Sequence, residues 1–126
     1  MSYSILIVDD SATTRAMIKR TIRMTDLPIA HLYDAPDGKA ALDLLSTRKV
    51  DLVLADLNMP EMDGFEMTRR LRANDATRDI PVIVVSAAPN AEDFARLEQV
   101  SGCLRKPFTA EALRNAIAQA LEVTHA

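Results

Sequence analysis

Aromatic residues are scarce in this sequence: three Phe, two Tyr and no Trp, or 4% of 126 residues. That leaves little surface on which to stack a flavin ring. Cysteine occurs once, at Cys103, so no intrachain disulfide can form and a reducing compartment is the natural setting. Positive charge is not in surplus. Fifteen Lys and Arg stand against eighteen Asp and Glu, a formal net charge of -3, and the pI is about 5.3. This balance argues against nucleic-acid binding through bulk positive charge, and any basic surface must be local. No apolar run approaches the roughly 20 residues that a membrane-spanning helix needs. The opening MSYSILIVDD has no basic leader before its acidic pair. The expectation is a cytoplasmic protein forming one domain over residues 1–126, with neither a linker nor a separate output module.

What is present is a globular balance, 48% hydrophobic and 26% charged, with enough length for one sizeable core. Apolar runs of strand length alternate with segments of helical period. The strand pattern falls on SILIV (4–8), IAHLYDA (29–35), DLVLAD (51–56), IPVIVVS (80–86) and GCLRK (102–106). The second of these is partly polar and suits a sheet edge. Pro81 sits near the start of the fourth, where a missing donor is tolerated.

Between the strands, ATTRAMIKRTIRM (12–24) places Thr14, Met17, Ile18, Thr21 and Ile22 on one helical face. Arg15, Lys19, Arg20 and Arg23 fall on the other, read as a solvated stripe, with docking to an acidic surface of a partner as the alternative. DGKAALDLLSTR (37–48) has a cap in Asp37 or Gly38, and FEMTRRLR (65–72) sets Met67 and Leu71 one turn apart. AEDFARLEQV (91–100) also reads as a helix. TAEALRNAIAQALE (109–122) lines up Leu113, Ile117 and Leu121, with Ala116 and Ala120 beside them. Strict alternation of five strands with helices argues for an α/β fold, a parallel sheet covered on both faces by right-handed crossovers. Period alone does not give the strand order.

In such sheets ligands sit at the carboxyl ends of the strands, and the informative residues end those strands. The first runs into Asp9 and Asp10, the third into Asp56, the fourth into Ser86 and the fifth into Lys106. A carboxylate at the mouth of a core strand is costly unless something neutralises it or chemistry needs it. Each pair of carboxylates about 4 Å apart repels by about 4 kcal/mol at an effective dielectric near 20. One lysine does not offset three acids, whereas a divalent cation does. An all-oxygen ligand set favours Mg²⁺, which takes one or two carboxylates, waters and a phosphate oxygen.

The ordered set ILIVDDS, VLADLNMPEMDG, VIVVSAAP and LRKPF resembles the receiver domain of two-component response regulators over essentially the whole chain. VDDSATTR resembles the stand-alone, chemotaxis-type branch. The resemblance implies a doubly wound five-stranded sheet in the flavodoxin-like order 2-1-3-4-5. It implies that Asp56 is the phospho-acceptor and that Asp9 and Asp10 organise Mg²⁺, Asp10 more directly. Asn58 would contribute its backbone carbonyl to the metal, Ser86 the switch hydroxyl and Lys106 the phosphoryl contact. A cis Lys106–Pro107 bond belongs to the same motif. The function implied is a phospho-accepting switch that takes a phosphoryl group from a histidine kinase or histidine phosphotransfer protein. In the docking alternative for the basic stripe, the acidic surface would belong to that kinase or phosphotransfer helix. It would be a monomer before phosphorylation, acting on an output protein rather than on nucleic acid or membrane. It would catalyse only its own phosphotransfer and autodephosphorylation.

Two positions depart from the common pattern. Cys103 stands where many receivers carry an aromatic residue whose rotamer follows the switch hydroxyl, and it reads as a small buried strand residue. Ala88 occupies a position that is often larger or polar. His31 and His125 show no metal-ligand spacing with Cys103.

Three other functions compete. FMN-dependent electron transfer is opposed by the acidic pair and the lack of aromatics. An aspartate-nucleophile phosphatase would need an acid at Asn58 to protonate the leaving group. A receiver-shaped interaction module working without phosphorylation is the third.

Overall fold

A strand that is apolar on both sides must be covered on both sides, and this requirement shapes the molecule. The computed structural model describes residues 2–57, 62, 64–87 and 101–125, with side chains through 121. The helix expected over 91–100 lies outside these residues, as do Ala88 and Asn58. The strands are β1 (Tyr3–Val8), β2 (Ile29–Ala35), β3 (Leu52–Ala55), β4 (Val82–Ser86) and β5 (Gly102–Arg105). All pairings are parallel, and the sheet order is β2-β1-β3-β4-β5. This is the order implied by the resemblance, with the partly polar β2 at an edge.

Among the described residues the helices are α1 (Ala12–Arg23), α2 (Gly38–Leu45), α3 (Gly64–Ala73) and α4 (Ala110–His125). Strand alternation divides the core in two. Ile5, Ile7, Leu52, Leu54, Ile83 and Val85 pack with Ile18 and Ile22 of α1 and with Leu113, Ile117 and Leu121 of α4. Their neighbours Leu6, Val8, Val53, Ala55 and Val82 pack with Ala41 of α2 and with Met67 and Leu71 of α3. Among the described residues, one helix pair covers each face. Each side chain of this size contributes about 1.5–3 kcal/mol when fully buried. None of the described helices is long and apolar enough to cross a membrane.

Local chemistry sets the helix starts. Ser11 caps α1 by accepting from Thr14 N, and Asp37 caps α2 by accepting from Ala40 N at 2.8 Å. Arg20 and Arg23 fall in the last turn of α1, where cations oppose the negative helix end.

Two details of α1 differ from the helical-period reading. Met17, expected on the buried face, is 47% exposed; the residues of α1 that are buried in the core are Ile18 and Ile22. Arg15 and Lys19, read as part of a solvated stripe, turn back onto Asp34 of β2. Arg20 and Arg23 remain exposed.

Candidate functional site

The lip at the carboxyl end of the sheet is built by continuation of the strand ladder. Val8 and Ala55 are register partners, so the residues that follow them, Asp9 and Asp56, emerge side by side. Their backbones stay bound to the sheet: Asp56 N donates to Val8 O at 2.9 Å and Asp9 N to Ala35 O at 3.1 Å. On the other side Lys106 N donates to Ser86 O at 3.2 Å, which brings the lysine off β5 toward the centre. Lys106 precedes Pro107 through a cis peptide bond.

The acids meet. Asp9, Asp10 and Asp56 each offer a carboxylate oxygen, and these oxygens lie within 4.8 Å of one another. Asp9 and Asp56 are buried and Asp10 is exposed. Lys106 Nζ bridges the buried pair, 2.8 Å from Asp9 Oδ2 and 3.2 Å from Asp56 Oδ2. Asp9 is held a second time, because its Oδ1 accepts from Ser11 N at 2.9 Å. Burial alone would push the Lys106 ammonium down. The hydrogen bond to Asp9 and the negative charges of Asp56 and Asp9 outweigh it, so its pKa lies above the ordinary lysine value. The lysine is therefore charged at neutral pH.

Among the described residues, three carboxylates stand against one ammonium, which gives the site net negative charge. The donors are all oxygens, and among the described residues no side chain or backbone group hydrogen-bonds the exposed Asp10 carboxylate. That chemistry fits a hard divalent cation such as Mg²⁺. Ser86, fully buried at the end of β4, stands on the strand beside Asp56. Of the residues expected at the site, Asp9, Asp10, Asp56 and Lys106 are brought together and Ser86 adjoins them. Asn58 lies outside the described residues.

Leu57 and Met62 are each tied to a glycine. Gly64 N donates to Leu57 O at 3.1 Å and Gly38 N to Met62 O at 3.0 Å. A Cβ on Gly38 would stand 2.8 Å from that same Met62 oxygen. Cys103 is a strand residue that packs against Leu57 and Val84 beside Phe65, and it is half-buried rather than buried as expected.

Arg15 was missed as a site neighbour by sequence reasoning. Its Nη1 donates to the Asp9 carbonyl at 2.6 Å. The only local signal is a basic residue one turn into the helix that follows the acidic pair, and helical period assigns such a residue to solvent.

Comparison with known proteins agrees with this geometry. The profile of the response regulator receiver domain matches residues 5–118. The chemotaxis protein CheY of Pseudomonas aeruginosa is 37% identical over 120 residues, 94% of this chain and 95% of that protein. The sensor protein EvgS of Escherichia coli is 35% identical over 97% of this chain, which spans 10% of its length. The solved structure of the chemotaxis response regulator CheY4 of Vibrio cholerae superposes with a TM-score of 0.84 at 28% identity, covering 96% of this chain and all of that one. The parallel sheet order, the acids gathered at its lip and these similarities place the chain in the response regulator receiver domain family, the phospho-accepting switches of two-component signalling.

Proposed function

We propose that Asp56 accepts a phosphoryl group from the phosphohistidine of a histidine kinase or histidine phosphotransfer protein. The modified lip then changes which output protein the chain binds. The observation that carries this reading is the Lys106 ammonium held between Asp9 and Asp56 in a lip of three carboxylates.

An Asp56 oxygen attacks phosphorus in line as the bond to the imidazole nitrogen breaks, and the imidazole leaves with the electron pair. Lys106 donates to a phosphoryl oxygen as negative charge gathers there, a contact already aimed by its bonds to the two acids. Asp9, Asp10 and Asp56, with the backbone carbonyl of Asn58, would hold Mg²⁺, whose charge offsets repulsion between these acids and the incoming phosphoryl group. Ser86 donates its hydroxyl to another phosphoryl oxygen and draws the chain that follows β4 toward the lip. Attack of water on the phosphoaspartate regenerates Asp56, so the chain catalyses its own phosphorylation and dephosphorylation only. The reading is of a chemotaxis-type, cytoplasmic switch, monomeric before phosphorylation, that uses neither nucleic acid nor membrane.

Intact-mass measurement after incubation with a small phosphodonor and Mg²⁺ tests this. One added phosphoryl group is expected on the wild type and none on Asp56→Ala. Undiminished labelling of the variant would move the acceptor elsewhere. A wild type that takes no label would favour the interaction module that works without phosphorylation.

A further inference from the structure

Arg15 reaches two elements at once. Its Nε donates to Asp34 Oδ2 at 2.8 Å on the edge strand β2. Its Nη1 donates to the Asp9 backbone carbonyl at 2.6 Å in the turn after β1. The Arg15 side chain is only 15% exposed. Lys19 Nζ takes the other Asp34 oxygen, 2.7 Å from Oδ1. The guanidinium fork is thus braced from one side and grips a single peptide with the other.

That peptide joins Asp9 to Asp10. Because a peptide unit is planar, the direction of the Asp9 carbonyl fixes the direction in which the chain arrives at the Asp10 Cα. Asp9 does not depend on this grip, since Ser11 N and Lys106 Nζ each hold one of its carboxylate oxygens. Asp10 does. It is exposed, and among the described residues nothing bonds its carboxylate. Its aim toward Asp9 and Asp56 therefore comes from the backbone that carries it.

We propose that Arg15, braced by Asp34, is a positioning residue for the metal site, holding the Asp9–Asp10 peptide so that the Asp10 carboxylate converges with those of Asp9 and Asp56. The inference rests on reading those acids as a Mg²⁺ site. Arg15 acts through the peptide and does not touch the ion. Outer partners of metal ligands generally contribute ten- to hundredfold in affinity, roughly, by fixing ligand orientation.

Charge predicts the opposite sign from positioning, and this makes the proposal decidable. A guanidinium near a cation site repels the cation, so deleting it for electrostatic reasons alone tightens Mg²⁺ binding. Deleting a clamp loosens it.

The experiment is calorimetric titration of Mg²⁺ alone into the full chain and its Arg15→Ala, Arg15→Lys, Asp34→Asn, Lys19→Ala and Asp10→Asn variants, with urea unfolding of each in parallel. Arg15→Ala is expected to weaken Mg²⁺ binding about tenfold or more. Arg15→Lys should weaken it nearly as much, because an ammonium keeps the charge but lacks the fork that spans both acceptors. Lys19→Ala, which removes equal charge without touching the Asp9 carbonyl, should leave affinity unchanged or raised. Affinity equal to or tighter than wild type in Arg15→Ala overturns the proposal. Should Arg15→Ala not fold, wild-type affinity in both Arg15→Lys and Asp34→Asn overturns it equally. Absence of Mg²⁺ binding by the wild type, or wild-type binding by Asp10→Asn, instead removes the metal site itself and the proposal with it.

Discussion

Gly64 stands against the backbone of Asp56 so closely that a Cβ at residue 64 would overlap the Asp56 carbonyl oxygen and lie 2.9 Å from Leu57 Cα. The contact is backbone on backbone, so no side-chain rotation relieves it. Hydrogen, the smallest substituent, is what lets α3 begin beside the end of β3. Gly64→Ala is expected to push the Asp56–Leu57 segment aside and cost about 1–3 kcal/mol, the usual range for overpacking. Urea unfolding measures the cost. Labelling by a phosphodonor should fall in the same variant even where it remains folded, and a variant with wild-type stability and labelling would refute the steric argument.

Lys106 is the described cation between Asp9 and Asp56, both of which are buried. Removing it leaves two desolvated carboxylates facing each other, and Lys106→Ala should cost about 3 kcal/mol without divalent cation. Mg²⁺ should restore much of that, because the variant still holds the three acids and no longer holds the competing ammonium. The check is the urea midpoint of wild type and variant with and without Mg²⁺. A variant that gains no more from the ion than wild type does would contradict the shared role of lysine and metal.

The Asp34 carboxyl supplies a pH signature. Burial alone would raise its pKa, but the hydrogen bonds from Lys19 and Arg15 and their charges outweigh burial and hold it below the ordinary carboxylate value. The folded state therefore binds this proton more weakly than the unfolded chain, so the pairing stabilises fully above the unfolded pKa of about 3.9. It is lost as pH falls through the lower folded value. The stability difference between wild type and Asp34→Asn should hold steady down to about pH 5 and shrink progressively below about pH 4. A difference that shrinks at alkaline pH instead would point to the lysine rather than the acid.

Two buried threonines should respond oppositely to loss of a hydroxyl. Thr68 on α3 is fully buried, and its Oγ1 has no hydrogen-bond partner among the described residues. Thr77 Oγ1 donates to the Leu71 carbonyl at 2.8 Å, closing the turn after α3. Thr68→Val keeps the branched shape and removes an unsatisfied polar atom, so it should stabilise by about 1 kcal/mol. Thr77→Val should destabilise by about 1 kcal/mol, since it removes the shorter of the two bonds to the Leu71 carbonyl, which then keeps only the longer one from Asn74 N at 3.4 Å. Denaturant midpoints of the two variants relative to wild type decide this, and a shift in the same direction for both would refute it.

Local pattern was enough to read the alternation of strands and helices, because strand length and helical period are properties of short segments. The same holds for the acids at the strand ends. In a parallel sheet every carboxyl end lies on one rim, so the sequence alone assigns Asp9, Asp10, Asp56, Ser86 and Lys106 to a single lip. The buried stripe Leu113, Ile117 and Leu121 and the cap at Asp37 were legible for the same reason. What the tertiary structure alone decided are contacts between residues distant in sequence. Arg15 and Lys19 leave the solvent for Asp34, nineteen and fifteen residues away, because only the pairing of β2 beside β1 brings a carboxylate within their reach. Gly64 meets Asp56, and Lys106 chooses Asp9 and Asp56 together, for the same cause: packing geometry has no period along the chain.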